Sequence, residues 1–335
     1  MTGKSPTRDP DLRGARIAFE ELPVIDIESL KDGATRPPRT VIEELGWAAR
    51  NIGFFYLTNH GVSQSLIDDT FALTREFLSL PLEEKMHWHY TRGRNHSGYL
   101  AIGQEITDSE AGGDFKEGLD YFLELTPDDI DYDFRFYGGP NLWVDMPVGY
   151  RELLQRCFME FLELNRRILD AMLQSVGVAP GSLNSQLTKP IAVLSPRRYP
   201  PQSGHITRSH LGANMHQDWC CCTVIAQDHV PGLQAMNAEG RWIEVLPLEG
   251  TLVCNLGELL ERWTNGQLVA TQHRVINDSG RDRYSIPAFL SPNRRSTVEV
   301  LPECHNATNP PRFASLEVGQ YFEGRHQYDE IEPTQ

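Results

Sequence analysis

Beyond residue 190 the hydrophobic pattern of this 335-residue chain changes period. Short apolar runs alternate with Gly, Pro and Asn turns: Ile191–Leu194, Cys221–Gln227, Trp242–Val245, Thr251–Asn255, Arg274–Ile276 and Tyr284–Leu290. Runs this short, bounded by turn residues, read as strands rather than helices. A regular series of them is the pattern of a double-sheet jelly roll. The fold class expected is therefore mainly β with flanking helices around a jelly-roll core.

The helices come from the first half. Leu22–Ile27 and the aromatic run Gly53–Thr58 read as strands, and Thr40–Asn51 as a helix with Val41, Leu45 and Ala48 on one face. Ser63 suits an N-cap, followed by the stripe Leu66, Leu73, Phe77 and Leu80. Residues 108–133 are acidic and irregular, and read as a surface loop or part of a lid. Tyr150–Val176 reads as a long amphipathic helix whose stripe is core. Four regions result: a flexible tail over 1–19, an α/β region over 20–180 packing on the core, the jelly-roll core over 185–315, and a C-terminal segment over 316–335. No internal repeat interrupts them.

The residues that carry chemistry lie in the strand-rich half. In His216-Gln217-Asp218 the ligand-type residues stand at i and i+2, which share one face of a strand. A second imidazole, His273, would complete two histidines and one carboxylate. That set leaves metal positions open and is the usual seat of non-haem Fe(II) that activates O₂. Arg283 and Ser285, again at i and i+2, offer a guanidinium fork and a hydroxyl, a pair that suits a carboxylate.

The ordered series Leu211-Gly212, His216-Gln217-Asp218, Gly232-Leu233-Gln234, Gly250 to Gly257, Thr264-Asn265-Gly266, His273-Arg274-Val275 and Arg283-Tyr284-Ser285 resembles one family. Upstream, Leu22 to Asp26, Gly53-Phe54-Phe55, Asn59-His60-Gly61, Lys116-Glu117 and Tyr199-Pro200-Pro201 extend the likeness over nearly the whole chain. The family is the iron(II)- and 2-oxoglutarate-dependent dioxygenases of the isopenicillin N synthase-like type, whose fold is a double-stranded β-helix. The resemblance implies Fe(II) on His216, Asp218 and His273, with 2-oxoglutarate and O₂ as cosubstrates and ascorbate as a stimulant. It implies that Arg283 and Ser285 hold the distal carboxylate of 2-oxoglutarate and that Tyr199 assists. Many relatives carry Asn two residues before this Tyr, where this chain has Arg197, so a contact near the keto acid is expected to differ. Gln217 stands where Thr is common and is expected to point away from the metal.

The reaction implied is hydroxylation, desaturation or ring formation on a small molecule, in secondary metabolism. Two alternatives stay open: an isopenicillin N synthase-like oxidase that works without 2-oxoglutarate, and a catalytically silent binding protein on the same fold. Phe289, Tyr99 and His210 are the candidate substrate contacts. His87, His89 and His96 are irregularly spaced and read as surface residues.

The net charge of −15 repels phosphate backbones, so a nucleic-acid partner is not expected. The chain has no apolar run long enough to span a bilayer and no signal-peptide core, so a cytoplasmic location without membrane contact is expected, with no obligate protein partner. The six cysteines form no Cys-x-x-Cys pair. Continuing the metal strand would put Cys220 and Cys222 on the face of His216 and Asp218; the alternative is that they are small buried core residues.

Overall fold

The computed structural model describes residues 7–8, 22–31, 38–107, 112–134, 136–202, 205–207 and 210–326. The tail expected over residues 1–19 lies outside the described residues apart from Thr7 and Arg8, as does the end of the C-terminal segment. The first half supplies β1 (Val24–Asp26), α1 (Arg39–Asn51), β2 (Phe54–Thr58), α2 (Gln64–Leu78), β3 (Gly98–Leu100), β4 (Glu117–Phe122) and α3 (Tyr150–Gln174). The second half supplies β5 (Pro190–Leu194), β6 (Arg197–Tyr199), β7 (Ala213–His216), β8 (Cys222–Gln227), β9 (Leu233–Met236) and β10 (Trp242–Glu244). It continues with β11 (Leu252–Leu256), α4 (Glu258–Trp263), β12 (His273–Val275), β13 (Arg283–Asn293) and α5 (Val318–His326). Ser63 stands at the N-cap of α2, but its hydroxyl pairs with Ser65 Oγ at 2.8 Å and caps no helix amide.

A nine-stranded sheet runs β1-β2-β11-β8-β13-β5-β4-β3, with β6 pairing both β13 and β4. A four-stranded sheet runs β10-β9-β12-β7. Period-2 alternation gives the large sheet two different faces. Tyr284, Ile286, Ala288 and Leu290 of β13 join Val224 and Ala226 of β8 in the core under the helices. Phe54, Tyr56, Ile225 and Val253 face the other way, packing with Ala213, Leu233, Ala235 and Val275 of the small sheet. The two sheets thus share one core, in the jelly-roll arrangement expected from the strand pattern. The N-terminal region contributes strands at both edges of the large sheet: β1 and β2 at one, β3 and β4 at the other.

One expectation is corrected, and one open alternative is decided. The acidic segment over 108–133 contains β4, which is buried in the large sheet except for Asp120. Its acidity misleads because Glu117 is buried as an ion-pair partner: Oε2 takes Lys85 Nζ at 2.6 Å and the Tyr99 hydroxyl at 2.5 Å, and Oε1 takes Arg198 Nη1 at 2.8 Å. The metal strand also does not run on into the cysteines. β7 ends at His216, the chain crosses between sheets, and β8 opens at Cys222 on the large sheet. Cys221 and Cys222 therefore point into the helix-side core, while Cys220 stays at the cavity wall.

Removing the charge at Glu117 tests how far this buried network holds β4 in place. Glu117→Gln removes the carboxylate charge from Lys85 Nζ and leaves it neutral acceptors, the Leu78 carbonyl among them. Breaking one side of a buried ion pair costs about 3–5 kcal/mol, so urea unfolding should show a loss of that order. A loss below about 1 kcal/mol, the worth of a surface pair, would contradict the assignment.

Candidate metal centre and its cavity

Four strands and one crossing build the centre. His216 ends β7 and His273 opens β12, and the antiparallel register sets them directly opposite one another. Their ring centroids are 4.2 Å apart. Asp218 follows two residues after His216, in the crossing rather than in the strand, and presents Oδ1 3.6 Å from His216 Nε2 and 3.5 Å from His273 Nε2. The ligand atoms of the three residues lie within 4.8 Å of one another, a group that could hold a metal ion.

Each imidazole has its tautomer set by its own strand. Nδ1 of His216 donates to the Asn214 carbonyl at 2.7 Å, and Nδ1 of His273 to the Thr271 carbonyl at 3.1 Å. With Nδ1 carrying the proton, each Nε2 lone pair is left for a metal. Burial, reinforced by His273, pushes the His216 pKa down to about 4, so this ring is neutral at pH 7. Burial works against the charged form of Asp218, but the two histidines and the Thr223 hydroxyl outweigh it and hold the carboxyl below its usual range. Phe54 packs edge-on against His273 at 5.3 Å. Gln217 turns its amide to the Ala270 carbonyl at 2.7 Å.

Arg283 lies a few strands away on the same cavity, only 1% exposed. Nη2 donates to Gln227 Oε1 at 2.8 Å, whereas Nε and Nη1 are buried without a hydrogen-bond partner. An unpaired buried donor costs about 1–3 kcal/mol, and a buried guanidinium with two such donors is suited to an anion. Ser285 lies on the same face of β13, and the Arg283 guanidinium carbon sits 4.9 Å over the Tyr199 ring. A two-His, one-carboxylate donor set beside an open guanidinium fork fits Fe(II) and a keto acid with a second carboxylate.

The cavity that joins these groups measures about 270 Å³. One wall is aromatic, with Tyr90, His96, Phe136, Tyr137, Trp219 and Phe322 drawn from five separate segments. Another is charged. Arg197 Nη2 lies 2.7 Å from Asp120 Oδ1 and 3.1 Å from Glu105, and Nη1 donates to the Leu119 carbonyl at 2.8 Å. Lys116 lies 2.9 Å from Glu105 and 3.0 Å from Asp114. Burial raises the Glu105 carboxyl, but Lys116 and Arg197 outweigh it and hold the group ionised. Arg197 needs Gly118 beneath it: a Cβ there would lie 2.7 Å from Arg197 Cδ. The residue that departs from the family pattern is thus a paired element of the wall.

Of the sequence candidates, His216, Asp218, His273, Arg283, Ser285, Tyr199 and Phe289 all line this cavity. Tyr99 does not. It is buried in the helix-side core with its hydroxyl on Glu117, because β3 pairs at the far edge of the large sheet. His210 is exposed, packed at a tilt against Phe115 with ring centroids 4.6 Å apart, and lies off the cavity. The histidines read as surface residues divide: His87 is exposed, His89 is buried between Thr91 and Gln104, and His96 lines the cavity. Sequence reasoning missed Glu105, Asp120, Trp219, Thr223, Asn255 and Phe322. Thr223 and Asn255 had a usable signal, since both fall on the inward alternation of strands already recognised.

Comparisons with known proteins converge. Residues 22–146 match the family model described as non-haem dioxygenase in morphine synthesis N-terminal, and residues 190–292 match the 2OG-Fe(II) oxygenase superfamily. The chain is 31% identical over 297 residues to a homoarginine-6-hydroxylase of Arabidopsis thaliana, covering 85% of this chain and 89% of that protein. It is 29% identical over 349 residues to a 1-aminocyclopropane-1-carboxylate oxidase of Dictyostelium mucoroides, covering 91% and 94%. Among solved structures, a full-length Neurospora crassa protein in complex with alpha-KG and thymine superposes with a TM-score of 0.79 at 25% identity, covering 91% of this chain and 96% of that one.

The charged wall makes its own prediction. Arg197→Asn removes the cation from Asp120 and one of two from Glu105. The cost should fall near the low end of the about 3–5 kcal/mol for breaking a buried pair, because both carboxylates reach the cavity and can hydrate. Urea unfolding of the variant measures it; unchanged stability would show that the wall does not need its guanidinium.

Proposed function

The chain is a member of the 2-oxoglutarate- and Fe(II)-dependent oxygenase superfamily, and on that premise we propose that His216, Asp218 and His273 hold its iron and that Arg283, Ser285 and Tyr199 hold its 2-oxoglutarate. The enzyme acts on a small molecule. When bound, Fe(II) with 2-oxoglutarate and O₂ supplies the oxidising chemistry by oxidative decarboxylation of the keto acid to succinate and CO₂.

The observation that carries the reading is the pair of partnerless Arg283 donors within the same cavity as the three ligand side chains. A distal carboxylate at this guanidinium would give its buried charge and free donors a partner, and the keto-acid end of the same molecule would share the cavity with the three ligand side chains. The Tyr199 ring supports the guanidinium from one side, and Gln227 holds Nη2. The substrate then faces the aromatic wall and Phe289. Rings on that side keep water from the reacting carbon, and the Arg197 and Glu105 wall offers polar recognition.

Turnover with Fe(II), 2-oxoglutarate and O₂, followed by succinate release across a metabolite panel, tests the reading. Slow release without substrate should accelerate with the true substrate to one succinate per product. Arg283→Gln should weaken 2-oxoglutarate binding by about two to four decades, the equivalent of about 3–5 kcal/mol for a broken buried charge contact. Ser285→Ala should cost less, about 1–3 kcal/mol. Equal 2-oxoglutarate affinity in wild type and Arg283→Gln, with product formed at full rate and no succinate, would replace this reading with that of an oxidase whose substrate carboxylate occupies the fork.

A further inference from the structure

We propose that Thr223 and Asn255 are positioning residues that fix Asp218 through Oδ2, so that Oδ1 alone is presented to the metal, and that the Cys220 thiol orients the Thr223 hydroxyl for this task. The inference rests on the reading of His216, Asp218 and His273 as ligands, and goes beyond it by assigning what the neighbouring strands do.

Both contacts fall on one oxygen. Thr223 Oγ1 lies 2.5 Å and Asn255 Nδ2 2.6 Å from Asp218 Oδ2. The other oxygen, Oδ1, is the one that faces both imidazole Nε2 atoms. The two donors come from adjacent strands, β8 and β11, whose register sets Thr223 directly opposite Asn255. Each is fully buried. The crossing itself is held from behind: Glu258 N donates to the Asp218 carbonyl at 2.8 Å and Gly257 N to the Cys221 carbonyl at 2.9 Å. A Cβ on Gly257 would lie 2.2 Å from the Cys220 carbonyl, so this close approach needs glycine.

Proton bookkeeping fixes the direction of each bond. An ionised carboxylate only accepts, so Asn255 turns its amide nitrogen and Thr223 its single proton toward Asp218. Asn255 Oδ1 is left buried without a partner. A fold that orphans this acceptor in order to donate to Asp218 is committing the residue to the carboxylate. The Thr223 oxygen, having given its proton, can only accept at its second contact, Cys220 Sγ at 3.3 Å. The thiol is therefore the donor, and the chain Cys220, Thr223, Asp218 runs in one direction. The first cysteine of the triplet thereby acquires a role different from its two core neighbours.

The test uses the full chain and Co(II) as the probe metal, with the visible absorption of the bound ion and the unfolding temperature of the metal-free protein as readouts. Thr223→Val keeps the shape and removes the hydroxyl; it should weaken Co(II) binding by about 10–100-fold, the usual effect of losing a partner that orients a ligand. Its cobalt spectrum should change as the freed Oδ2 joins the coordination shell. Thr223→Ser restores the hydroxyl and should restore both affinity and spectrum. Asn255→Leu should weaken binding by a similar factor, and Cys220→Ala by less than Thr223→Val. Wild-type affinity and spectrum in both Thr223→Val and Asn255→Leu would overturn the proposal. So would equal losses in Thr223→Ser and Thr223→Val, which would make the role one of volume. If Thr223→Val loses cooperative unfolding, Asn255→Leu and Thr223→Ser decide the matter alone. A wild-type protein that binds no Co(II), or binds it undiminished in His216→Ala and His273→Ala, overturns the ligand reading beneath it.

Discussion

The structure depends on a carboxylate buried where the chain crosses from one sheet to the other. Asp218 is only 6% exposed. Burying such a group unpaired is prohibitive in a medium of low polarity, so the surrounding fold has to answer both of its oxygens. Hydroxyl and amide donors from the large sheet meet one, and the other faces the two imidazole Nε2 atoms of the small sheet, where a metal cation would answer it. The shared core between the sheets holds these donors in register, because a slip of one residue in β8 or β11 would turn Thr223 or Asn255 toward the helices. The crossing of the strands is therefore what makes the centre, and the centre is what fixes the crossing.

A second constraint follows from the length of β13. Its inward residues Arg283, Ser285, Pro287, Phe289 and Ser291 run from the guanidinium fork to the far wall of the cavity, while the alternate residues bury under α3. One strand thus sets both the depth at which a carboxylate is held and the surface the substrate meets. Asn165 of α3 ties this strand from behind by donating to the Ala288 carbonyl at 3.1 Å, and it also accepts the Cys222 thiol at 3.4 Å. The long helix that reads as mere core is in this sense a support for the cavity wall.

What could be read from the sequence divides along the same physical line. Alternation and spacing are local, so the strands of the second half, the His-Asp-His set and the Arg283-Ser285 pair were legible. Groups whose environment comes from distant segments were not. Tyr99 looked like a pocket residue until Glu117 claimed its hydroxyl, and β4 looked like a loop because its acidic residue was paired with cations 32 and 81 residues away. Phe322 reaches the cavity from a C-terminal helix with no spacing signal linking it to the motifs. The cysteine triplet left two readings open, because the change of sheet between His216 and Cys222 has no local signal; Cys221 and Cys222 are the small buried core residues of the second.

An anaerobic crystal structure of the protein with Fe(II) and 2-oxoglutarate, with iron located by its anomalous scattering, tests the central claim most directly. The account predicts one iron bound by His216 Nε2, His273 Nε2 and Oδ1 alone of Asp218, with the keto acid on the iron and its distal carboxylate on the Arg283 guanidinium. Iron held elsewhere, a bidentate Asp218 with its Thr223 and Asn255 bonds broken, or a 2-oxoglutarate that leaves the Arg283 fork empty would contradict it.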